Sequence, residues 1–332
     1  MKELVIPHDI DIEIIGNDYT KLQLIKSKDA STTIKGWLTN NQPFINDLFD
    51  KKRIILFKGF KELGSRNEFS EIVSLLSEGG PLNYSEPSTP RTQLAQNIYS
   101  STEYPRDQEI AQHNEHSYSA NWAKKIFFYC EKPASTGGHT PISDSSAVYD
   151  LIPPAIIANF KNKGGIMYVR NFTSEMDIRW QDFFVTSDRK EVEEYCKKRN
   201  MSFEWRGNNN LRVSYTAQVA LKDNLFNKDI WFNQAHLFHY SNLKPEIYSY
   251  LIELYGIENL PRNTYFKDNS EIEIASLNEI RSAYNKAMFK FNWEKGDLLF
   301  MDNVRYGHGR TSYTGERSVI VAMSEEDAIT NY

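Results

Sequence analysis

Two residues in the run Gln112-His113-Asn114-Glu115-His116 have the types and spacing of metal ligands. In an extended segment, alternate side chains project from the same face, so the imidazole of His113 and the carboxylate of Glu115 can chelate one ion while Asn114 points away. Taken alone, this spacing is a weak signal. A surface histidine or a hydrogen-bonded core histidine is the commoner explanation of such a fragment.

A second candidate histidine lies far along the chain, beyond an apolar strand. Gly296-Asp297 introduces that strand, Asp302-Asn303 ends it, and His308 follows. Two imidazoles and one carboxylate that leave three coordination positions open suit non-heme Fe(II) and its oxygen chemistry. His113, Glu115 and His308 are therefore the candidate ligands.

Arg317 stands beyond His308, at the start of the next predicted strand. An oxygenase that uses 2-oxoglutarate needs such a cation, because a guanidinium fork holds the distal carboxylate while the keto-acid end of the cosubstrate chelates the iron. Considered alone, Arg317 is more simply an ordinary edge-strand arginine. Its position shortly after His308 favours the interpretation that it binds the cosubstrate carboxylate.

The sequence lacks the motifs that identify several other classes of enzyme. The sequence contains no phosphate-binding glycine-rich loop, no Gly-x-Ser-x-Gly elbow, no His-Glu-x-x-His helix and no Cys-x-x-Cys pair. A net charge of −5 argues against a nucleic-acid partner. The 2 cysteines indicate a reducing, cytoplasmic location, and the absence of a signal peptide or long apolar run predicts no membrane partner.

Short β-branched and aromatic runs predict the strands that position these residues. These runs are 53–57, 125–130, 166–169, 229–232, 297–301 and 318–323, and a hairpin joins 202–205 to 211–215. Helices are predicted over about 67–78, 190–199, 245–255 and 277–288. Because strands and helices do not alternate regularly, we expect an antiparallel β-core in a single domain over 1–332, with helical insertions around 60–80, 186–200 and 245–290.

Several segments, taken in order, carry a family resemblance. They are 101–105, His113-Asn114-Glu115, 127–134, Gly137-Gly138-His139-Thr140, 231–239, 296–303, His308-Gly309-Arg310 and Gly315-Glu316-Arg317. Together they closely resemble the taurine dioxygenase-like (TauD/TfdA) superfamily of Fe(II)/2-oxoglutarate oxygenases. More narrowly, they resemble its branch of syringomycin-type hydroxylases from peptide natural-product pathways. The resemblance spans about residues 50 to 325.

The resemblance implies a mainly β fold with helical insertions, the double-stranded β-helix or jelly roll. By similarity, His113, Glu115 and His308 match the Fe(II) ligands, and Arg317 matches the arginine that pairs with the C5 carboxylate of 2-oxoglutarate, with O₂ as the second cosubstrate. Thr140 matches a threonine that supports this carboxylate, although local hydrogen bonding is an alternative. Taurine dioxygenase itself carries Asp where this chain has Glu115. Halogenating relatives carry Gly or Ala there, so the glutamate argues against halogenation.

Three further residues are candidates for substrate contact or for support of the site. His116 and Tyr118 follow the first ligand pair, and Arg310 follows the distal histidine. The guanidinium of Arg310 could pair with a carboxylate of the cosubstrate or substrate, or with an internal acidic residue. The sequence leaves these alternatives open.

The remaining histidines have more ordinary interpretations. His139 is expected to be exposed, whereas His236 and His239 are either structural or hydrogen-bonded near the pocket. Specificity in this superfamily comes from loops around the barrel mouth, which we expect to include 80–125 and 172–230.

The predicted function is oxidation of an unactivated C–H bond in an amino acid or an amino-acid-derived small molecule of a biosynthetic pathway. The outcome could be hydroxylation, desaturation or cyclisation, and the substrate could be free or tethered to a carrier protein. The alternative from another class is a non-catalytic, cupin-like binding or scaffold protein. Such a protein would have no reason to keep His113, Glu115, His308 and Arg317 together. The oligomeric state is not readable from the sequence.

Overall fold

A computed structural model describes residues 6–83, 92–101, 104–173 and 178–329. In chain order the strands are β1 (Ile10–Gly16), β2 (Lys21–Ser27), β3 (Ile54–Lys58), β4 (Gln93–Ala95), β5 (Ile98–Ser100), β6 (Ile110–His113), β7 (Asn121–Lys132), β8 (Thr136–Gly137), β9 (Ile142–Asp144), β10 (Ile166–Phe172), β11 (Ser202–Arg206), β12 (Asn210–Ala217), β13 (Ala220–Asp223), β14 (Lys228–Trp231), β15 (Arg262–Phe266), β16 (Leu298–Asp302), β17 (Tyr306–Arg310), β18 (Tyr313–Thr314) and β19 (Ser318–Ala328). The α-helices are α1 (Ile34–Lys52), α2 (Arg66–Leu76), α3 (Ser145–Leu151), α4 (Pro154–Asn162), α5 (Trp180–Phe184), α6 (Arg189–Lys198), α7 (Ala235–Phe238), α8 (Pro245–Tyr255) and α9 (Ile274–Ala287). Short 3₁₀ turns cover Gly207–Asn209, Tyr240–Asn242 and Ile257–Asn259.

The strands and helices predicted from hydrophobic pattern are present, with ends shifted by a few residues. The predicted hairpin is β11 and β12, which pair antiparallel around a turn at 207–209. The N-terminal elements β1, β2 and α1 were not predicted. Pro43 and the non-helical Asn41 lie inside α1. A proline inside a helix removes a backbone hydrogen bond and bends the helix, which obscures a single continuous helical pattern.

The main sheet has the strand order β1-β2-β3-β16-β7-β19-β5-β4, and both faces of its central strands are covered. On β16, Leu298 and Phe300 face a hydrophobic cluster that includes Trp37 of α1. Leu299 and Met301 face a second cluster on the opposite side. Because side chains alternate across a strand, burial of both faces explains why these strands are continuous apolar runs in the sequence.

A smaller sheet, with the order β6-β17-β9, packs on that second face. Ile142 of β9 and Tyr306 of β17 belong to the same buried cluster as Phe128 and Met301 of the main sheet. Two facing, mostly antiparallel sheets with helical insertions form the double-stranded β-helix that the sequence predicts. The small sheet carries two of the candidate metal ligands.

An inserted lobe stands beside the small sheet. Its sheet has the order β11-β12-β10-β15, and α3, α4 and α9 contribute to the cluster that packs against it. The side chain of Gln112 on β6 donates to the carbonyl oxygen of Tyr284 on α9 at 3.3 Å. The insertion therefore forms a wall next to the strand that carries His113.

Cys130 and Cys196 are both buried free thiols, so no disulfide contributes to this fold. Burial raises the pKa of Cys130 to about 12 and the pKa of Cys196 to about 11. Within the described ranges, none of the helices has both the length and the apolar character that a bilayer-spanning helix needs.

Candidate metal centre

The two candidate histidines are brought together by strand pairing. His308 on β17 lies directly opposite His113 on β6 in the antiparallel register. Residues in such cross-strand positions have neighbouring side chains. The two imidazole rings lie 4.8 Å apart between centroids, and Phe128 of the main sheet packs edge-on against the ring of His308 at 5.0 Å.

Glu115 reaches the histidines from a turn, not from the extended strand expected from the sequence. The strand β6 ends at His113, and His116 has a left-handed backbone with φ of +57°. The side chain of Asn303 fixes this turn. Its Oδ1 accepts from the backbone N–H of Glu115 at 2.7 Å, and its Nδ2 donates to the carbonyl oxygens of Glu115 at 3.0 Å and Ala123 at 2.7 Å.

Asn114 points away from the candidate ligands, as the sequence predicts, but it is buried and not exposed to solvent. Its Nδ2 donates to the backbone oxygen of Asn303 at 2.7 Å, and its own carbonyl oxygen accepts from Gln234 Nε2 at 2.8 Å. Neither asparagine was identified from the sequence as a site residue. Both tie the turn that holds Glu115 to the loop between β16 and β17.

The three candidate ligands face one point. The carboxylate Oε2 of Glu115 is 3.7 Å from Nε2 of His113 and 3.7 Å from Nε2 of His308, and all three potential ligand atoms lie within 4.8 Å of one another. A separation of 3.7 Å is too long for a hydrogen bond. His113 Nδ1 is 2.8 Å from the carbonyl oxygen of Ala111 and so carries the proton, which leaves a lone pair on Nε2. Two imidazoles and one carboxylate in this arrangement fit a divalent first-row metal such as Fe(II).

Replacement of Asn303 by alanine is expected to weaken metal binding by roughly 10- to 100-fold, because residues that orient ligands typically contribute that much. Competition with a fluorescent chelator measures the affinity. The matched control is Asn171→Ala, which removes another buried amide that donates to backbone carbonyl oxygens, here those of Glu258 and Leu260. If both variants lose stability but keep wild-type metal affinity, Asn303 does not position the ligand.

A small cavity adjoins the histidines and contains the candidate cosubstrate residues. Arg317 and Thr140 line it together with His113 and His308. Arg317 Nε donates to the carbonyl oxygen of Gly138 at 2.9 Å, and its Nη1 lies 3.3 Å from Ser101 Oγ.

The guanidinium of Arg317 carries a charge that none of the described carboxylates neutralises. Burial, assisted by the nearby charge of Arg310, lowers the pKa of Arg317 to about 10, so the group remains a cation at neutral pH. Arg317 is half-buried, and a cation withdrawn from water without an acidic partner suits an anionic ligand. Together with the adjoining metal-ligand set, this positive charge suits a keto-diacid such as 2-oxoglutarate.

Gly138 leaves the space that the arginine occupies. Its φ is +65°, and a Cβ atom there would approach Cδ of Arg317 to 2.9 Å. Thr140 is buried, and its hydroxyl oxygen accepts from Trp293 Nε1 at 2.9 Å. This bond orients the hydroxyl so that its hydrogen can be donated to a ligand. Trp293 was not identified from the sequence, although a buried indole N–H usually needs an acceptor.

Arg310 bonds to backbone carbonyl oxygens, and none of its acceptors is a carboxylate of the described residues. Its Nη1 donates to the carbonyl oxygen of Tyr104 at 3.0 Å, and its Nη2 donates to those of Pro105 at 2.6 Å and Gln108 at 2.9 Å. It therefore fixes the loop before β6. Its side chain also lies between the small cavity and a larger one, since it lines both.

Comparison with known proteins agrees with this geometry. The sequence matches the profile of the family described as "Taurine catabolism dioxygenase TauD, TfdA family" over residues 23–323. The chain belongs to this family. It is therefore a 2-oxoglutarate-dependent dioxygenase, for which Fe(II), 2-oxoglutarate and O₂ are the fitting cofactor and cosubstrates. The resemblance inferred from the sequence is confirmed.

Two curated relatives match this TauD/TfdA-family dioxygenase along most of its length. The dapdiamide synthesis protein DdaC of Enterobacter agglomerans is 36% identical over 316 residues, which cover 95% of this chain and 94% of the relative. A clavaminate synthase-like protein of Arabidopsis thaliana is 24% identical over 291 residues, covering 84% of each.

Solved structures share the fold of this dioxygenase. PvcB of Pseudomonas aeruginosa, described as an Fe, alpha-ketoglutarate dependent oxygenase from an isonitrile synthetic pathway, superposes with a TM-score of 0.52 at 11% identity and covers 97% of this chain and 94% of that one. AAD-2 in complex with Mn(II) and N-oxalylglycine superposes with a TM-score of 0.53 at 12% identity and covers 95% and 96%. At these identities, the likeness shows the double-stranded β-helix.

The dioxygenase has a large cavity beside the candidate metal ligands. Its volume is about 860 Å³, and His113 and Glu115 form part of its wall. The other lining segments lie within 104–112, 234–262 and 281–290, with contributions from Pro141 and 310–311. None of the described residues of 172–230, which were expected to contribute, is among those that line this cavity. The segment after it, which includes α7 and α8, reaches the cavity.

Three other residues considered from the sequence, His116, Tyr118 and His139, lie outside the wall of the large cavity. Tyr118 is buried and packs against Phe238 at 5.1 Å between ring centroids, and neither it nor His116 is among the residues that line the large cavity. His139 is half-buried, not exposed as expected, because its Nε2 bonds to Asn292 and its Nδ1 to Thr311. Both bonds lie away from the metal ligands.

His236 and His239 line the large cavity and are held neutral. Burial lowers the pKa of His236 to about 3 and the pKa of His239 to about 4, and the charge of Arg281 acts in the same direction. His236 Nε2 is 2.9 Å from the carbonyl oxygen of Gln112, so this nitrogen carries the proton. The sequence left open whether these histidines have a structural role or lie near the pocket. Both line the cavity, and His236 also bonds to the backbone of β6.

The two neutral histidines make stability fall in mild acid. Below pH 6.5 the unfolded chain binds protons at His236 and His239 that the folded protein does not bind until pH falls to about 3 and about 4. We therefore expect the unfolding free energy of the metal-free protein to decrease as pH falls from 7 to 5, with a slope of up to ~1.4 kcal/mol per pH unit for each histidine. Urea denaturation in the presence of EDTA measures this slope, and His236→Gln should flatten it. An unchanged slope in that variant would contradict the neutral state of His236.

Proposed function

We propose that this dioxygenase oxidises an unactivated C–H bond of an amino acid or amino-acid-derived small molecule in a biosynthetic pathway. In this proposal, His113, Glu115 and His308 bind Fe(II), and Arg317 and Thr140 bind 2-oxoglutarate. The observation that carries it is the convergence of three ligand atoms within 4.8 Å of one another beside the two cavities.

In this proposal, one set of residues holds the metal and another set holds the cosubstrate. When bound, Fe(II) and 2-oxoglutarate supply the activation of O₂ for C–H oxidation, with release of succinate and CO₂. The Ala111 carbonyl oxygen fixes the tautomer of His113, and Asn303 holds the backbone of Glu115. Arg317 would hold the distal carboxylate of the cosubstrate next to the small cavity that His113 and His308 also line.

The large cavity supports a small-molecule substrate. Its volume of about 860 Å³ lies in the range of typical ligand pockets, and it adjoins the candidate metal ligands directly. The names of DdaC and of PvcB place both proteins in synthetic pathways, which favours a biosynthetic role here. The substrate is either free or tethered to a carrier protein, and the product is hydroxylated, desaturated or cyclised.

Succinate release in the presence of a substrate panel tests this function. The enzyme is loaded with Fe(II) and 2-oxoglutarate without oxygen, then exposed to O₂ with each of the common L-amino acids, free and loaded onto a phosphopantetheinyl carrier protein. The expected result is stimulated succinate release together with a product that has gained one oxygen atom or lost two hydrogen atoms. No stimulated succinate release and no mass change with any member of either set would contradict an amino-acid substrate.

A further inference from the structure

Arg281 on α9 is one of the cations in the wall of the large cavity. Its Nη1 donates to Asn278 Oδ1 at 2.8 Å, and its Nη2 donates to the carbonyl oxygen of His236 at 2.8 Å and to Ser241 Oγ at 3.0 Å. All three acceptors are neutral. Its Nε is buried and has no hydrogen-bond partner within the described part of the chain.

The charge of Arg281 is not neutralised by any carboxylate among the residues that the structure describes. Burial lowers its pKa, and no acidic neighbour acts in the opposite direction. Buried cations are normally paired, because removing a charge from water without a counter-charge is costly. An arginine kept in this state on a ligand-sized cavity is typical of a site that receives its counter-charge from a ligand.

The position of Arg281 puts such a ligand beside the metal ligands. Arg281 bonds to the carbonyl oxygen of His236, and the imidazole of His236 bonds to the carbonyl oxygen of Gln112, which directly precedes His113. The ring of His236 also stacks on Tyr284, one turn further along α9, at 4.6 Å between centroids. Two hydrogen bonds thus separate the unneutralised charge from the residue that precedes a candidate iron ligand.

Other charged groups also line the large cavity, and those exposed at its rim are less suited to this role. Asp107, Glu109, Lys244 and Lys290 are exposed at its rim, where water screens their charge. Arg310 is buried, and its two Nη atoms likewise donate to three neutral carbonyl oxygens, but it also lines the small cavity together with Arg317. Arg262 is half-buried, and its guanidinium lies 5.6 Å from the centroid of the Phe238 ring. Arg281 differs from Arg310 in lining the large cavity and not the small one, and in its bond to His236.

His236 and Tyr284, which line the same cavity, each have a buried polar atom without a partner in the described residues. Because Nε2 of His236 donates to a carbonyl oxygen, its Nδ1 is an unprotonated acceptor, and it is buried without a partner in the described residues. The hydroxyl oxygen of Tyr284 is also buried and has no hydrogen-bond partner in the described residues.

We propose that Arg281 binds a carboxylate of the substrate in the large cavity. The proposal rests on the proposed function, since it assigns an anionic substrate class to the same active site. The carboxylate supplies the counter-charge that the described residues do not provide, and it anchors the substrate in the cavity that His113 and Glu115 also line. Arg281 is then a substrate-binding residue that distinguishes acids from their neutral amides.

Matched pairs of acids and amides test this assignment. The protein is loaded with Mn(II) and N-oxalylglycine, which hold the site in an unreactive state, and calorimetry measures binding of each common L-amino acid and of its α-carboxamide. The pairs aspartate/asparagine and glutamate/glutamine test a side-chain carboxylate in the same way. We expect at least one acid to bind roughly 10- to 100-fold more tightly than its amide, as hydrogen bonds to a charged group contribute.

Three variants show whether Arg281 causes this preference. Arg281→Gln should abolish the difference between acid and amide, and Arg281→Lys should retain part of it. The control Lys290→Gln, which removes an exposed cation at the rim of the same cavity, should leave it unchanged. The proposal is overturned if no acid binds better than its amide to the wild-type protein, or if Arg281→Gln keeps the preference.

A separate measurement distinguishes failure of this assignment from failure of the proposed function. Anaerobic addition of Fe(II) and 2-oxoglutarate to the wild-type and Arg281→Gln proteins should give the same metal-to-ligand charge-transfer absorption in both. If the wild-type protein shows the band but binds no acid better than its amide, the metal and cosubstrate assignments stand and only the carboxylate site is refuted. Absence of the band from the wild-type protein would refute the proposed function itself.

Discussion

The variant His308→Ala is expected to lose at least 100-fold in turnover and to lose the charge-transfer absorption of the anaerobic Fe(II)/2-oxoglutarate complex. His308 provides one of three ligand atoms that lie within 4.8 Å of one another. Loss of a residue that only orients a ligand typically costs 10- to 100-fold, so loss of a ligand itself should cost at least as much. Absorption spectroscopy and succinate release measure the two effects.

His139→Ala is the matched control for this variant. His139 is a half-buried histidine whose ring bonds to Thr311 and Asn292 and not to the candidate metal ligands. It should keep both the absorption band and the turnover within a few-fold of wild type. Equal losses in the two variants would mean that the effect of His308→Ala reflects general destabilisation and not metal coordination.

The variant Arg317→Gln is expected to raise the KM for 2-oxoglutarate by roughly 30-fold or more, because truncating one partner of a buried charge pair typically costs about 2–5 kcal/mol. Glutamine can still bond to the carbonyl oxygen of Gly138, so the local backbone should be preserved. Succinate release at varied 2-oxoglutarate concentration measures the change. Metal affinity in the absence of cosubstrate should stay close to wild type.

Arg106→Gln is the control for this second variant. Arg106 is exposed, and its Nη1 donates to the carbonyl oxygen of Gly315, close to Arg317 in the chain. Because water screens an exposed charge, its removal should change the KM by less than about threefold. A KM for 2-oxoglutarate that is equally raised in both variants, or in neither, would refute the assignment of Arg317 to the cosubstrate.

The β-core was predictable because its physical cause is local. Central strands that are buried on both faces need apolar side chains at every position, and 298–301 and 126–130 satisfy this over their whole length. The kinked helix α1 was not predictable in the same way, because Pro43 and Asn41 interrupt its pattern. Its burial depends on Trp37 and Phe49 packing on a sheet whose strands lie far away in the sequence.

The candidate ligands were predictable from residue type and order, but their geometry was not. The spacing of His113 and Glu115 suggested one extended strand, whereas the structure places Glu115 on a turn after the strand ends. That turn is held by Asn303, which lies far from Glu115 in the chain. An amide that bonds to backbone atoms leaves no local pattern in a sequence, because its role depends on which loop folds against it.

The cavity walls were the least predictable part. The segments that line the large cavity come from α7, α8, β15 and α9, and their approach to β6 depends on how the inserted lobe packs. Arg281 looks like an ordinary charged residue on an amphipathic helix until its neighbours are known. The absence of a carboxylate partner among the described residues, which gives it its significance, is a property of the folded protein alone.

Anomalous diffraction at the iron edge, from crystals grown without oxygen in the presence of Fe(II) and 2-oxoglutarate, tests the metal assignment most directly. The predicted result is one iron peak bonded to Nε2 of His113, Nε2 of His308 and the carboxylate of Glu115, at roughly 2.0–2.2 Å as for similar divalent ions. A peak bonded to a different set of side chains, or one that lacks either imidazole, would contradict the account.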